Sequence, residues 1–196
     1  MEFAACPVGP IQENAYVLYA PDREDALVID PGAEPERVRA LLDGRKLLAV
    51  LLTHGHYDHV GAVAALRGPD APVYIHGADA AMLTDPRLSL AGIAAPAPGP
   101  ADLFLTEGGL TLAGLRLQVI HTPGHTPGSV CYRCGNDLFS GDTMFRAGYG
   151  RVDLPGGDAR QMALSLRRLL SFDENVRVHP GHGASTRIGA ERRYGL

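Results

Sequence analysis

The sequence predicts a four-layer α/β sandwich: two sheets packed face to face, with helices on the outer faces. Three observations point there. Short apolar strands and amphipathic helices recur in both halves of the chain. Leu47–Leu52 is an unbroken apolar run, as expected of a strand covered on both faces. Histidine-bearing turns follow directly on the predicted buried strands. A chain of 196 residues is long enough to bury one sizeable core, and residues 1–196 are read as a single domain.

Taken in order, Ala15–Tyr19 and Ala26–Ile29 read as strands, the second ending at the turn Asp30-Pro31-Gly32. Pro35 suits the first turn of a helix whose Val38, Leu41 and Leu42 share a face. The Leu47–Leu52 strand runs straight into Thr53-His54-Gly55-His56. A helix is expected from about His59 to Leu66, then a strand at Val73–Ile75 and a helix near Ala78–Leu83. Ala91–Pro100, rich in Ala, Pro and Gly, reads as an extended surface loop. Further strands fall at Leu103–Leu105, Leu115–Ile120, Val130–Tyr132 and Leu138–Ser140. Asp158 with Gln161 resembles a capping box opening a helix with Met162, Leu166 and Leu169 inward. A last strand, Val176–Val178, leads into His179-Pro180-Gly181-His182.

Composition narrows the function classes. A formal net charge of −4 gives no overall basic field for nucleic acid or anionic lipid, which counts against a nuclease. No apolar run approaches the roughly 20 residues that span a bilayer, and Met1–Ala20 lacks the pattern of an export signal. A soluble, cytoplasmic protein is the expectation. Cys131 and Cys134 form a C-x-x-C, but in a strand and turn rather than at a helix start. They read as ordinary strand cysteines, not as a redox or zinc pair.

Seven of the eight histidines lie in three short segments, each after a predicted buried strand; His76 is the exception and reads as structural. The first segment is His54-x-His56-x-Asp58-His59. Imidazoles and a carboxylate packed this tightly need something to bind. Alternate residues of an extended loop point the same way, so His54 and His56 can grip one ion while Asp58 and His59 face a neighbouring position. Nitrogen and oxygen donors of this kind suit zinc, iron or manganese better than calcium or magnesium. His121-Thr122-Pro123-Gly124-His125 supplies a stiff second loop. Asp142, at a strand end, and a histidine of the 179–182 turn complete the set. Spacing alone leaves His121 or His125, and His179 or His182, open. A closed structural zinc site takes four ligands, usually with cysteine; this many N and O donors without cysteine argue for two ions with room for water.

The H-x-H-x-D-H run, the Thr122–Thr126 loop, Gly141-Asp142-Thr143 and Pro180-Gly181-His182-Gly183 stand in the order seen in the metallo-β-lactamase superfamily, which the chain resembles from residue 54 to 183. Gly141–Phe145 and Gly150–Asp158 look, more narrowly, like the short bacterial glyoxalase II proteins. The resemblance implies the four-layer αββα metallo-β-lactamase fold. It also implies a first metal on His54, His56 and His125, a second on Asp58, His59 and His182, and Asp142 between them. His121 and His179 then become strand-end residues or residues that orient a ligand. Asp58 and Asp142 are the candidate catalytic groups, with Asp142 positioning the attacking water. Two divalent ions are implied, zinc first, with iron or manganese as alternatives. A divalent pair suits hydrolysis because it acidifies a water held between the ions.

The implied substrate is a small-molecule thioester of the S-2-hydroxyacylglutathione type, split to a hydroxy acid and a free thiol. Arg151 sits where glyoxalase II enzymes carry a glutathione-contacting lysine, so it is the candidate for holding a substrate carboxylate. Asp153 stands where those enzymes have a tyrosine, and the chain stops soon after His182, short of their C-terminal helical region. The rival within the superfamily is a persulfide dioxygenase using one iron at His54, His56 and His125; the 150–158 segment favours the hydrolase. A secreted β-lactamase is disfavoured because many of those enzymes carry cysteine where Asp142 stands.

Overall fold

A computed structural model describes residues 1–91 and 97–195 of the chain. The first sheet is laid down in chain order as β1 (Glu2–Val8), β2 (Glu13–Tyr19), β3 (Asp25–Ile29), β4 (Lys46–Leu51), β5 (Val73–His76) and β6 (Leu103–Leu105). The first three strands form an antiparallel meander, and β3 to β6 run parallel. The parallel returns carry α1 (Pro35–Leu41), then α2 (Tyr57–Val60) and α3 (Val63–Leu66), and after β5 a 3-10 turn at Gly77–Leu83. The second sheet comprises β7 (Gly108–Leu112), β8 (Leu115–His121), β9 (Val130–Cys134), β10 (Asp137–Gly141), β11 (Arg177–Pro180) and β12 (Thr186–Arg187), also neighbours in chain order. It is antiparallel except between β10 and β11, which α4 (Ala159–Leu169) connects; α5 (Ile188–Tyr194) follows β12.

Side-chain alternation assigns the layers. Leu18, Leu27, Ile29 and Leu51 of the first sheet meet Leu115, Leu117, Val119, Tyr132 and Phe139 of the second. The opposite faces of the same strands are covered too. Val17 and Val28 pack with Val38 of α1, and Val50, Leu52 and Ile75 with Val60 and Val63. Ile120, Leu138 and Val178 pack under Met162, Leu166 and Leu169 of α4. The arrangement is the expected α/β sandwich, and Leu47–Leu52 is apolar throughout because both of its faces are covered. Cys131 belongs to the α4 side of β9 and Cys134 to the space between the sheets. One strand thus points them in opposite directions, and they cannot share a disulfide or an ion.

Every strand read from the sequence is present. The helix expected from His59 to Leu66 is instead two short helices. The Ala62 amide donates to the Pro31 carbonyl at 2.9 Å, and a Cβ at Gly61 would lie 2.3 Å from the Gly32 oxygen. The helical ladder is broken there so that the chain can seat against the Asp30-Pro31-Gly32 turn. Near Ala78–Leu83 the helix is of the tighter 3-10 kind. Half of the loop expected at Ala91–Pro100, residues 92–96, lies outside the described residues, and residues 91 and 97–100 carry no regular structure. None of the described helices is long and apolar enough to cross a membrane.

The cap of α4 links the fold to the site. The Asp158 carboxylate accepts the Gln161 amide at 2.9 Å, while its own amide donates to the Gly124 carbonyl at 2.8 Å, next to His125. Asp158→Ala is expected to lower stability by about 1 kcal/mol, the usual worth of such a cap. Urea denaturation checks this, and an unchanged midpoint would contradict it.

Candidate metal centre

The loops at one end of both sheets converge. His54 and His56 follow β4, with Asp58 and His59 opening α2; His125 lies in the turn after β8, Asp142 directly after β10 and His182 two residues after β11. The turns are built for close approach. Gly124 has φ 143°, and a Cβ there would lie 2.4 Å from the Met162 backbone. A Cβ at Gly181 would lie 2.4 Å from Asp142 Oδ1. These two glycines let the His125 and His182 loops close on the centre.

Hydrogen bonds fix which face each imidazole presents. A backbone carbonyl can only accept. His125 Nδ1–H therefore donates to the Arg151 carbonyl (2.7 Å) and His182 Nδ1–H to that of Ile11 (3.2 Å). His59 Nδ1–H donates to Asp30 Oδ2 at 3.0 Å. His54 Nδ1–H donates to Thr53 Oγ1 at 3.0 Å, because that hydroxyl is already committed as donor to Asp30 Oδ2 at 2.5 Å. Four imidazoles are thereby left with an Nε2 lone pair facing inward, the arrangement that metal-binding histidines adopt. His56 completes the first group, its Nδ1 2.8 Å from His125 Nε2.

Inside this shell the atoms form two triads. Potential donor atoms of His54, His56 and His125 lie within 4.8 Å of one another, as do those of Asp58, His59 and His182. Asp142 stands between the triads, with Oδ1 3.3 Å from His59 Nε2 and Oδ2 3.5 Å from His125 Nε2 and 3.8 Å from His182 Nε2. His54 Nε2, His59 Nε2 and Asp142 Oδ1 are buried with no hydrogen-bond partner. Buried lone pairs aimed at one another are unfavourable unless a cation lies among them. The cluster therefore fits divalent metal ions. Asp30, His54 and His59 form a third grouping of the same size. There, however, Asp30 already accepts the Thr53 amide, the Thr53 hydroxyl and His59, so it orients ligands instead of binding an ion.

Electrostatics divides the triads. Burial and the neighbouring imidazoles hold His54 well below the ordinary imidazole range and His56 down to about 4. His59 goes the other way: burial opposes its charge, but Asp142, Asp58 and Asp30 favour a cation at its inward Nε2, a proton there when no ion is bound, and so hold it well above that range. Burial likewise pushes the Asp58 and Asp142 carboxyls up, yet His59 and His182 pull both below the usual carboxylate values. Both acids stay ionised.

The remaining candidates belong to neither donor triad. The Arg151 guanidinium is exposed and paired with Asp153 through two bonds of 2.9 Å, while its carbonyl is what holds His125. Neither His121 nor His179 orients a ligand. His121 stacks on His76 with ring centroids 4.2 Å apart and donates to the Pro127 carbonyl. His76 is structural, since its Nδ1 accepts the Ala78 amide at the start of the 3-10 turn. His179 sits between Asp137 (2.8 Å) and Ser185 (3.0 Å), against the rings of Phe3 and Phe139.

The sequence reading missed the buried acids, among them Asp30, Glu191 and Glu13. Glu191 accepts the Ala147 amide and the Thr186 hydroxyl, fixing the hairpin that places Phe145 beside His182. Glu13 has no partner for either oxygen and lies 3.8 Å from His59 Nδ1; burial pushes its carboxyl well up, against the pull of His59.

The Asp137–His179 pair gives a pH prediction. Burial holds His179 below its unfolded pKa, so acidification favours the unfolded chain from about pH 6.5 downward. Burial opposes the charge of Asp137, but Arg177 and His179 hold it low; its contribution is lost only below about pH 4. The stability advantage of the metal-free wild type over His179→Gln should therefore shrink as the pH falls through about 6.5. Paired thermal melts test this, and a difference that stays constant would contradict it.

Residues 8–182 match the metallo-beta-lactamase superfamily, and the chain belongs to that superfamily. Among curated relatives, the probable metallo-hydrolase YqgX of Bacillus subtilis is 38% identical, with 98% of this chain and 95% of that one covered. The hydroxyacylglutathione hydrolase GloC of Haemophilus influenzae is 34% identical over 98% and 96% of the two chains. Among solved structures, the BLEG-1 B3 metallo-beta-lactamase superposes with a TM-score of 0.92 at 41% identity, covering 98% of this chain and 97% of that one. TTHA1623 in a di-iron-bound form superposes at 0.85 with 44% identity, covering 97% and 98%.

Proposed function

We propose that the protein is a thioesterase of the glyoxalase II type, cleaving S-2-hydroxyacylglutathione or a related thioester to a hydroxy acid and a free thiol. The observation that carries this reading is the ionisation of the centre. His59 and His182 hold Asp58 and Asp142 low, as carboxylates, and Glu13, whose carboxyl burial pushes up, is fully buried behind His59. Among the described residues, the site therefore offers no exposed carboxylic acid to protonate a leaving group. That suits a thiolate, with a pKa near 8.5, far better than an amine. The coextensive likeness to GloC supports the same choice.

His54, His56 and His125 would hold one divalent ion and Asp58, His59 and His182 a second, with Asp142 serving both; zinc is the first candidate. When bound, such a pair supplies Lewis acidity toward a carbonyl oxygen and acidifies water. The chain's own residues do the positioning. Asp142, ionised and central, accepts a hydrogen bond from the attacking water and orients it. Thr53 and Asp30 keep the His54 and His59 lone pairs aimed inward. The Arg151–Asp153 pair is an exposed ion pair of small net worth, so its guanidinium can exchange Asp153 for a substrate carboxylate.

Persulfide oxidation by a single iron on His54, His56 and His125 is the second reading, and the di-iron-bound form of TTHA1623 is compatible with iron in such a centre. The purified, metal-replete protein should be assayed with S-lactoylglutathione, with a chromogenic β-lactam, and for oxygen uptake with glutathione persulfide. Thioester hydrolysis that exceeds the other two activities is the expected result. Oxygen uptake or β-lactam opening without thioester turnover overturns the proposal.

A further inference from the structure

Asp79, in the 3-10 turn, is a fully buried carboxylate, and none of the described lysines, arginines or histidines forms an ion pair with it. Its oxygens are committed to the segment beside His125. Oδ1 accepts the Gly128 amide at 2.6 Å and Oδ2 the Thr126 hydroxyl at 2.6 Å. Thr126 is tied in turn to Ser129, whose hydroxyl accepts the Thr126 amide at 3.1 Å. A Cβ at Gly128 would lie 2.6 Å from the Asp79 carboxyl carbon, so only glycine admits the carboxylate here.

The same turn also meets the first histidine loop. A Cβ at Gly55, between His54 and His56, would lie 2.5 Å from Met82 Cβ. Burial pushes the Asp79 carboxyl up, and hydrogen bonds from Thr126, Gly128 and the Gly55 backbone pull it partway back. A buried carboxylate is tolerable only while its donors stay in place, so these bonds stiffen both loops.

We propose that Asp79 is a positioning residue of the first metal position: it clamps the His125 loop to the His54–His56 loop, so that the three imidazoles stand ready before an ion arrives. The inference rests on the two-position metal reading and is independent of the substrate.

Asp79→Asn keeps the shape and turns one acceptor into a donor facing Thr126 or Gly128. Zinc affinity is measured by competition with a chromogenic chelator in two backgrounds: His182→Ala, which disables the second position, and His56→Ala, which disables the first. Asp79→Asn should weaken zinc by about 10–100-fold in the first background and leave it unchanged in the second. Thr126→Val, which removes one of the donors, should cause a smaller loss in the same background, and it carries the test if Asp79→Asn does not fold. Equal weakening in both backgrounds would mark a general structural role and overturn the proposal, as would no weakening in either. Wild-type protein that takes up no zinc would overturn the metal reading itself; a wild type that binds two ions beside an unaffected variant overturns the Asp79 inference alone.

Discussion

Asp142→Ala is expected to reduce S-lactoylglutathione turnover by about 10³-fold or more, with the fold intact. Asp142 is the carboxylate that reaches both triads, its two oxygens lying 3.3 Å from His59 and 3.5 Å from His125. Its loss removes a ligand from each position and the acceptor that orients water. A loss of about 4 kcal/mol in transition-state stabilisation corresponds to that factor. The readout is kcat/KM alongside metal content. A variant that keeps both ions and loses less than tenfold would show that Asp142 is a bystander.

The second large effect belongs to a residue outside the metal-binding shell. Asp30→Ala strands the Thr53 amide, the Thr53 hydroxyl and His59 Nδ1 in the interior. Removing one partner from a buried charged network typically destabilises by about 3–5 kcal/mol. The His54 and His59 rings also lose what fixes their tautomers, so metal affinity should fall by about 10–100-fold. Asp30→Asn can still accept one bond and should lie between the two. Denaturation of the metal-free protein separates the stability effect from the metal effect. Wild-type stability and zinc affinity in Asp30→Ala would contradict the tautomer argument.

The strands and the histidine segments were legible in the sequence for one reason: both are local patterns. Leu47–Leu52 announces a strand covered on both faces, and the turns that follow such strands collect the donors at one end of the sheets. The missed elements are those with little to bury. β1 is half exposed and carries Pro7, β7 is glycine-rich and exposed, and α5 buries Ile188 and Glu191 alone. The missed site residues act across long stretches of chain. Asp30 meets His59 29 residues away, and Asp79 meets Thr126 47 away. A lone aspartate at a turn carries no sequence signature of such a partner. Arg151 was read for its guanidinium; its carbonyl also holds His125, a part that any residue could supply and that leaves no trace in the sequence. His121 and His179 belong to the same segments as true candidates, and only their hydrogen-bond partners separate them.

The central claim is a centre of two metal positions sharing Asp142, and anomalous diffraction from crystals of the zinc-loaded protein tests it most directly. Two peaks are predicted, one against His54, His56 and His125, the other against Asp58, His59 and His182, with the Asp142 carboxylate between them. A single peak, or peaks anywhere other than these two triads, would contradict the account.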